Sequence, residues 1–351
     1  MDASTLILLE PAPPRGMAQW AADAPELDDC KEASYHEIPA RSVLNRCRGT
    51  RVYFPWTINP YRGCAFGCVY CYARYTHEYL LTDYANRPRD RTYATVPETI
   101  LDFERRIYVK TGAARVLARE LARRDVRGQH IAIGTATDPY QPAERRYRIT
   151  RSLLEVLARF PGLCLSITTK SDLVVRDLDL LRRIAAHSRL HVNVTVTTLD
   201  HRLAHRLEPR APRPDRRLAA VRQLVNAGVD AGVFVMPILP GITDSGEALD
   251  GLFAAAAAAG ARYLVAQPLF LRDAARARFY PWLRESDPAL FERYRRIFRR
   301  DADLDEPERE RIRGLIQHLR RKYGLAGDPG RAAQPPASDP PAEQPALDFG
   351  A

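Results

Sequence analysis

The chain has 351 residues, of which 46% are hydrophobic, so it is long enough to bury the core of one large domain or of two ordinary ones. Six cysteines are too few for a disulfide scaffold, and the apolar run Leu6 to Leu9 is too short for a signal peptide or a membrane span, which predicts a cytoplasmic protein with no membrane contact. The formal net charge of +10 would suit DNA or another nucleic acid as a partner, although acidic residues are interleaved with the basic ones.

Apolar runs of strand length alternate with amphipathic helical stretches from Val52 onward, a pattern typical of βα units and a parallel sheet. The predicted strands are 52–58, 130–134, 164–168, 190–196, 232–239 and 263–269, and the predicted helices are 97–124, 150–159, 174–186, 214–227 and 245–259. We expect four regions: an irregular extension (1–50), a core (51–275), an Arg-rich helical region (276–325) and a disordered tail (326–351).

Polar residues follow several predicted strands directly. The carboxyl ends of parallel strands meet at one edge of a sheet or barrel, where ligands bind. Helix capping explains part of this pattern. Capping does not require Gln141, Lys170 or the prolines Pro139 and Pro142. The polar residues of these strand ends comprise Thr135, Thr137, Asp138, Gln141, Lys170, Thr197 and Thr198.

Three cysteines, Cys64, Cys68 and Cys71, have the spacing C-x3-C-x2-C in a loop that also contains Gly63. Three thiolates can bind three irons of a 4Fe-4S cubane and leave the fourth iron open to a small molecule, whereas electron-transfer clusters are usually closed by four cysteines. The alternative is a structural zinc ion, for which His77 is the nearby candidate to complete a tetrahedral set.

This cysteine motif after the first strand, with Tyr70 before the last cysteine, resembles the radical S-adenosylmethionine (SAM) superfamily. The phrases GTATDPYQPAE (134–144), TRSLLEVL (150–157), TTKSDLVVRDLDLL (168–181) and MPILPGITDS (236–245) resemble its spore photoproduct lyase-like branch, often labelled DNA repair photolyases. Across residues 50 to 275 the resemblance implies an α/β fold, a partial (β/α)6 TIM-like barrel.

The resemblance also implies two cofactors, a 4Fe-4S cluster and S-adenosyl-L-methionine, with a reductase, flavodoxin or ferredoxin as electron donor. SAM would be cleaved reductively to a 5′-deoxyadenosyl radical that abstracts hydrogen from a substrate. The residues that match the SAM contacts of the family are Tyr70 for adenine, Thr135, Thr137 and Asp138 for the methionine amino group, Lys170 for the carboxylate, Thr197 and Thr198 for the ribose, and Gly241 in the adenine-side turn.

One departure from spore photoproduct lyase concerns the hydrogen donor. That enzyme uses a cysteine at the end of strand two, and the stretch Gly134 to Asp138 contains none. Cys164 begins strand three, at the opposite end of the barrel. We therefore do not expect repair of the spore thymine dimer by the same route.

Near the end of the chain, Gln344, Leu347 and Phe349 fit the pattern Q-x-x-L-x-F, which resembles the peptide that docks bacterial DNA polymerases and repair proteins on the sliding clamp. We expect this clamp as a partner. Three functions remain open: radical SAM chemistry on a nucleic-acid base, the same chemistry on a protein or small molecule, and a non-catalytic adaptor that carries zinc or a cluster.

Overall fold

A computed structural model describes residues 24, 26–30, 33–47, 54–80, 101–299, 301–325 and 327. In this part of the chain the strands are β1 (Glu26–Cys30), β2 (Ala33–Pro39), β3 (Leu44–Arg46), β4 (Trp56–Ile58), β5 (Tyr61–Arg62), β6 (Arg106–Thr111), β7 (His130–Ile133), β8 (Cys164–Thr169), β9 (Arg189–Thr195), β10 (Asp230–Ile238) and β11 (Leu264–Pro268). The helices are α1 (Ala113–Arg123), α2 (Ala143–Tyr147), α3 (Ile149–Leu157), α4 (Leu178–Ala185), α5 (His201–Leu207), α6 (Pro214–Asn226), α7 (Gly246–Ala258), α8 (Asp273–Ser286), α9 (Pro288–Ile297) and α10 (Glu306–Tyr323). Short 3₁₀ segments cover Tyr72–Leu80, Asp102–Glu104 and Asp172–Asp177.

The larger sheet is the predicted partial barrel. Strands β4, β7, β8, β9, β10 and β11 lie side by side and parallel, in chain order, and β3 adds an antiparallel edge to β4. The six parallel strands coincide closely with the six predicted ones, so the (β/α)6 architecture is confirmed. Their carboxyl ends define one edge, which we call the mouth.

Alternation along the strands separates an apolar face from a polar one. In β8, for example, Leu165 and Ile167 belong to the main hydrophobic core, whereas the intervening Ser166 bonds to His130 of β7 at 2.7 Å. This pattern indicates that apolar side chains face the helices and polar side chains face the barrel interior.

A second sheet joins the N-terminal region to the middle of the chain in the order β1-β2-β6-β5. Strand β2 runs parallel to β6, with Ser34 opposite Arg106 and Pro39 opposite Thr111. Two predictions are wrong here. Residues 26–46 include three strands rather than irregular structure. The helix predicted over 97–124 is interrupted by β6, and within the described part of that range the helical elements are the 3₁₀ segment Asp102–Glu104 and α1. Strand β2 pairs with β6, which lies about seventy residues further along the chain, and local periodicity cannot reveal such a distant pairing.

The C-terminal region forms three helices, α8, α9 and α10. Helix α10 is held by an Arg320 Nε bond to the Leu264 carbonyl oxygen at 3.1 Å and by Lys322, whose Nζ lies 2.6 Å from Asp250 Oδ1. The predicted disordered tail lies outside the described residues apart from residue 327, and so do Gln344, Leu347 and Phe349. Among the helices that the structure describes, none combines the length and apolar composition that a membrane crossing requires.

Candidate active site

The three cysteines lie on the loop that follows β5, at the mouth of the barrel; we call residues 63–71 the cluster loop. Gly63 opens it with a φ of +79°, and an added Cβ would lie 2.8 Å from the carbonyl oxygens of Phe103 and Arg106. The Cys64 amide donates to the same Phe103 oxygen at 3.0 Å. Only glycine fits where the loop passes this close to the neighbouring backbone.

Gln141 fixes the other side of the cluster loop. Its Oε1 accepts from the Ala65 amide at 2.8 Å, and its Nε2 donates to the Gly63 carbonyl oxygen at 3.1 Å and to Thr137 Oγ1 at 2.9 Å. Thr137 in turn donates to the Gly63 oxygen at 2.6 Å. The structure therefore gives Thr137 a contact with the cluster loop, while its predicted contact with the methionine amino group of SAM stays a prediction.

The thiols of the cluster loop are poorly exposed to solvent. Cys64 and Cys68 are buried and Cys71 is half-buried. Burial, together with the nearby charges of Asp138 and Cys71, raises the pKa of Cys64 to about 12. Burial also raises the pKa of Cys68 and Cys71, while the Lys170 ammonium opposes that rise at both thiols. Metal ions bind thiolates, so this cation favours the form that a cluster requires.

The donor set has the chemistry that three corners of a 4Fe-4S cluster require, because it consists of three thiols on one loop at the mouth of the barrel. No group of three or more His, Cys, Asp or Glu side chains in the described ranges is arranged around a single metal ion. A cubane requires a different arrangement, since each thiolate binds its own iron. His77, the candidate zinc ligand, packs its ring against Phe103 and Tyr108 at centroid distances of 5.0 and 6.2 Å.

Tyr70, Lys170 and Thr197 come together at the mouth, as predicted. The Lys170 Nζ lies 5.7 Å from the centroid of the Tyr70 ring, and the Tyr70 hydroxyl lies 3.1 Å from Thr197 Oγ1. Both hydroxyls donate to one oxygen of Glu208, Thr197 at 2.7 Å and Tyr70 by a short bond. The second oxygen of Glu208 meets Arg217 Nη2 at 2.5 Å.

Asp138 joins the ends of β7 and β8. Its Oδ1 accepts from Thr169 Oγ1 at 2.6 Å and from the Tyr140 amide at 2.9 Å, and its Oδ2 accepts from the Lys170 amide at 2.7 Å. The carboxylate thus positions the backbone of Lys170. Its predicted contact with SAM stays a prediction.

Thr135 is held at the mouth by Asn59, whose Nδ2 donates to Thr135 Oγ1 at 3.2 Å and whose Oδ1 accepts from the Ala136 amide at 2.8 Å. The Tyr72 hydroxyl donates to the Thr135 carbonyl oxygen at 2.5 Å. Asn59 therefore connects the end of β7 with the end of β4, and Tyr72 connects it with the 3₁₀ segment that follows the cluster loop.

Two predicted residues make their contacts elsewhere. The Thr198 hydroxyl accepts from the Asp200 amide at 3.1 Å, as expected for the turn that starts α5. Gly241, with a φ of +74°, donates from its amide to Asp244 Oδ1 at 2.6 Å, and an added Cβ would lie 2.8 Å from Leu290 of α9. Their predicted contacts with the ribose and with the adenine side of SAM stay predictions.

Sequence reasoning missed Asn59, Glu208 and Arg217. Glu208 had one weak signal, since a charged residue stands between the apolar Leu207 and Pro209. Its burial depends on partners from the cluster loop, β9 and α6, which only the fold brings together.

Solved structures of spore photoproduct lyase share this fold. The enzyme complexed with dinucleoside spore photoproduct matches with a TM-score of 0.57 and 16% identity, over 84% of this chain and 80% of that chain. A mutant with bound AdoMet and the same dinucleoside also has a TM-score of 0.57, over 83% of this chain and 80% of that chain. The likeness confirms the partial-barrel fold.

Sequence relatives cover most of the chain. The uncharacterized protein Rv2578c of Mycobacterium tuberculosis is 40% identical over 306 residues, which are 87% of this chain and 84% of the relative. The uncharacterized protein MJ0683 of Methanocaldococcus jannaschii is 28% identical over 189 residues, 54% of this chain and 62% of that protein. Residues 58–250 match the family model described as Radical SAM superfamily. This chain belongs to the radical SAM superfamily.

Proposed function

We propose that the chain binds a 4Fe-4S cluster through Cys64, Cys68 and Cys71, binds SAM beside it, and modifies a base of a nucleic acid. One observation carries the cofactor part: the buried thiols, Tyr70 and Lys170 meet at the mouth of the barrel. The cysteine spacing alone could suit other metals. A lysine and an aromatic ring beside the thiols also suit the carboxylate and adenine of SAM.

Lys170 is the residue that would hold the SAM carboxylate. Burial lowers the pKa of this ammonium, but the charges of Cys68 and Glu208 outweigh that effect and raise it above its ordinary value. The lysine therefore stays cationic in a site with little water, where a charge-assisted bond is strong.

When bound, the cluster would supply one electron and SAM would supply the adenosyl group for abstraction of hydrogen from the substrate. The protein contributes shielding and position. Its cluster loop is held by Gln141 and by the Phe103 carbonyl oxygen, and its thiols are largely removed from solvent. Exclusion of water limits side reactions of a reactive species.

A nucleic-acid substrate is favoured by the formal charge of +10. Spore photoproduct lyase, which has the same fold, is described in complex with a dinucleoside photoproduct. The stretch Gly134 to Asp138 lacks cysteine, so the hydrogen donor of this chain differs from that of spore photoproduct lyase. Binding to single- and double-stranded DNA at increasing salt tests this part, because phosphate contacts weaken steeply as salt rises. If the protein binds neither single-stranded nor double-stranded DNA, the nucleic-acid part of the proposal is overturned.

The test of the chemistry is anaerobic reconstitution with iron and sulfide, reduction, addition of SAM and measurement of 5′-deoxyadenosine. We expect product from the wild type and none from Cys68→Ala. Cys164→Ala is the matched control, because this buried thiol lies at the amino end of β8, away from the mouth, and its removal should preserve product. A well-loaded wild type that never cleaves SAM, with or without DNA, would favour the adaptor function instead.

A further inference from the structure

We propose that Glu208 is a positioning residue that holds Tyr70 and Lys170 in the arrangement that receives SAM. This inference rests on the proposed function. Glu208 lies in the loop after α5 and belongs to no cysteine or strand-end motif. Its side chain is only 1% exposed, so it acts through its neighbours.

One carboxylate oxygen of Glu208 accepts hydrogen bonds from two hydroxyls. Its Oε1 accepts from the Tyr70 hydroxyl and from Thr197 Oγ1. Tyr70 comes from the cluster loop and Thr197 follows β9, so one carboxylate oxygen joins the loop to the barrel wall. With its hydroxyl fixed, the Tyr70 ring has one orientation rather than a range of rotamers.

Glu208 carries a negative charge. Burial alone would raise the pKa of this carboxyl, but Arg217 and Lys170 outweigh burial and lower it below its ordinary value. Glu208 is therefore ionised. Arg217 is itself buried, and it donates to the Pro212 carbonyl oxygen at 2.7 Å and to the Thr195 carbonyl oxygen at 3.1 Å. These bonds fix the cation against which Glu208 is placed.

Glu208 is connected with Lys170 through the Tyr70 ring. The Lys170 ammonium lies 5.7 Å from the Tyr70 ring, on which a cation is favourably placed. By accepting from the Tyr70 hydroxyl, Glu208 keeps this ring in the position where the ammonium lies against it. Glu208 therefore positions Lys170 and Tyr70 before SAM binds. These are the two groups that would contact the carboxylate and the adenine of SAM.

Two quantities are measured on the reconstituted protein: the SAM dissociation constant, by equilibrium dialysis, and the iron content. In Glu208→Leu combined with Arg217→Met, the buried ion pair is replaced by apolar residues, a change that folds often tolerate. We expect wild-type iron content and SAM binding weakened by about tenfold, since the Tyr70 side chain would have to be ordered when SAM binds instead of beforehand. Asp177→Asn is the matched control, because Asp177 is a buried carboxylate paired with Arg151 and Arg176, and its variant should bind SAM normally.

Tyr70→Phe removes only the hydroxyl that bonds to Glu208. It tests the same contact if the double variant does not fold. It should also weaken SAM binding, and Glu208→Asp, which keeps a carboxylate, should recover part of the affinity lost in the double variant. Wild-type SAM affinity in loaded Tyr70→Phe or in the loaded double variant would overturn the proposal. If the loaded wild type itself binds no SAM, it is the proposed function that fails.

Discussion

The side-chain nitrogen of Gln141 lies 3.1 Å from the carbonyl oxygen of Gly63. This bond joins the segment after β7 to the first residue of the cluster loop, and Gln141 is fully buried. Because Gln141 also accepts from the Ala65 amide, one side chain satisfies polar backbone groups of two residues in the cluster loop. The loop that carries the cysteines is thus shaped by a residue distant in sequence.

Gln141→Leu should therefore damage the cluster loop. The Ala65 amide would lose its partner in a buried site, at a cost of about 1–3 kcal/mol. We expect a lower melting temperature and a lower iron content after reconstitution. Gln129→Leu, at an exposed residue that bonds to Trp56, should leave the iron content unchanged. Normal iron loading in Gln141→Leu would contradict this account.

Gly63 and Gly128 provide a matched pair of substitutions. Both have a positive φ, +79° and +70°, but an added Cβ is blocked by two carbonyl oxygens at Gly63 and meets nothing within 4 Å at Gly128. Gly128→Ala should lower the free energy of unfolding by about 1–2 kcal/mol, which is the cost of placing alanine in the left-handed conformation. Gly63→Ala should cost more and should impair iron binding, as urea unfolding and iron analysis would measure. Equal losses in the two variants would show that the close approach at Gly63 is unimportant.

Lys170→Met should weaken SAM binding without reducing iron content. The substitution keeps the length of the side chain and removes the ammonium, so we expect a loss of about tenfold to a hundredfold. Equilibrium dialysis with labelled SAM measures it. Lys322→Met, at an exposed ion pair with Asp250, is the control with normal affinity. Normal affinity in Lys170→Met would remove this lysine from the SAM site.

Lys110 should produce a pH dependence of stability. Burial and the Arg62 charge lower the pKa of this lysine to about 7, whereas an unfolded lysine titrates near ~10.4. Between these values the unfolded chain binds more protons than the folded chain, so this residue makes stability rise with pH. Urea unfolding of the apoprotein from about pH 7 to 9 should give a flatter rise in Lys110→Met than in the wild type. A flatter rise in the control Lys322→Met as well would point to a different cause.

The tail motif predicts a partner that can be tested alone. If Gln344, Leu347 and Phe349 bind the sliding clamp, a pull-down of the full chain should capture purified clamp, and Leu347→Ala with Phe349→Ala should abolish capture. Asp348→Ala, between the two apolar anchors, is the matched control and should retain it. Capture that is unaffected by loss of both anchors would reject the motif.

The barrel could be predicted from the sequence because each of its strands is an apolar run followed by a helix, and neighbouring strands in the sheet follow one another along the chain. The sequence also located the cysteines, Tyr70 and Lys170, since short motifs and strand ends identify them. It failed at β6, where Arg106–Thr111 pairs with β2, a strand from the N-terminal region. It failed at Glu208 for the same physical reason, because the partners that bury this carboxylate are distant along the chain.

The central claim is that three cysteines hold a cluster whose open iron accepts SAM. Electron paramagnetic resonance of the reduced, reconstituted protein tests it most directly, with spectra recorded before and after SAM is added. The account predicts a cluster signal that changes on addition of SAM in the wild type and much less at the same SAM concentration in Lys170→Met. A fully loaded wild type whose spectrum is unaltered by SAM would contradict it.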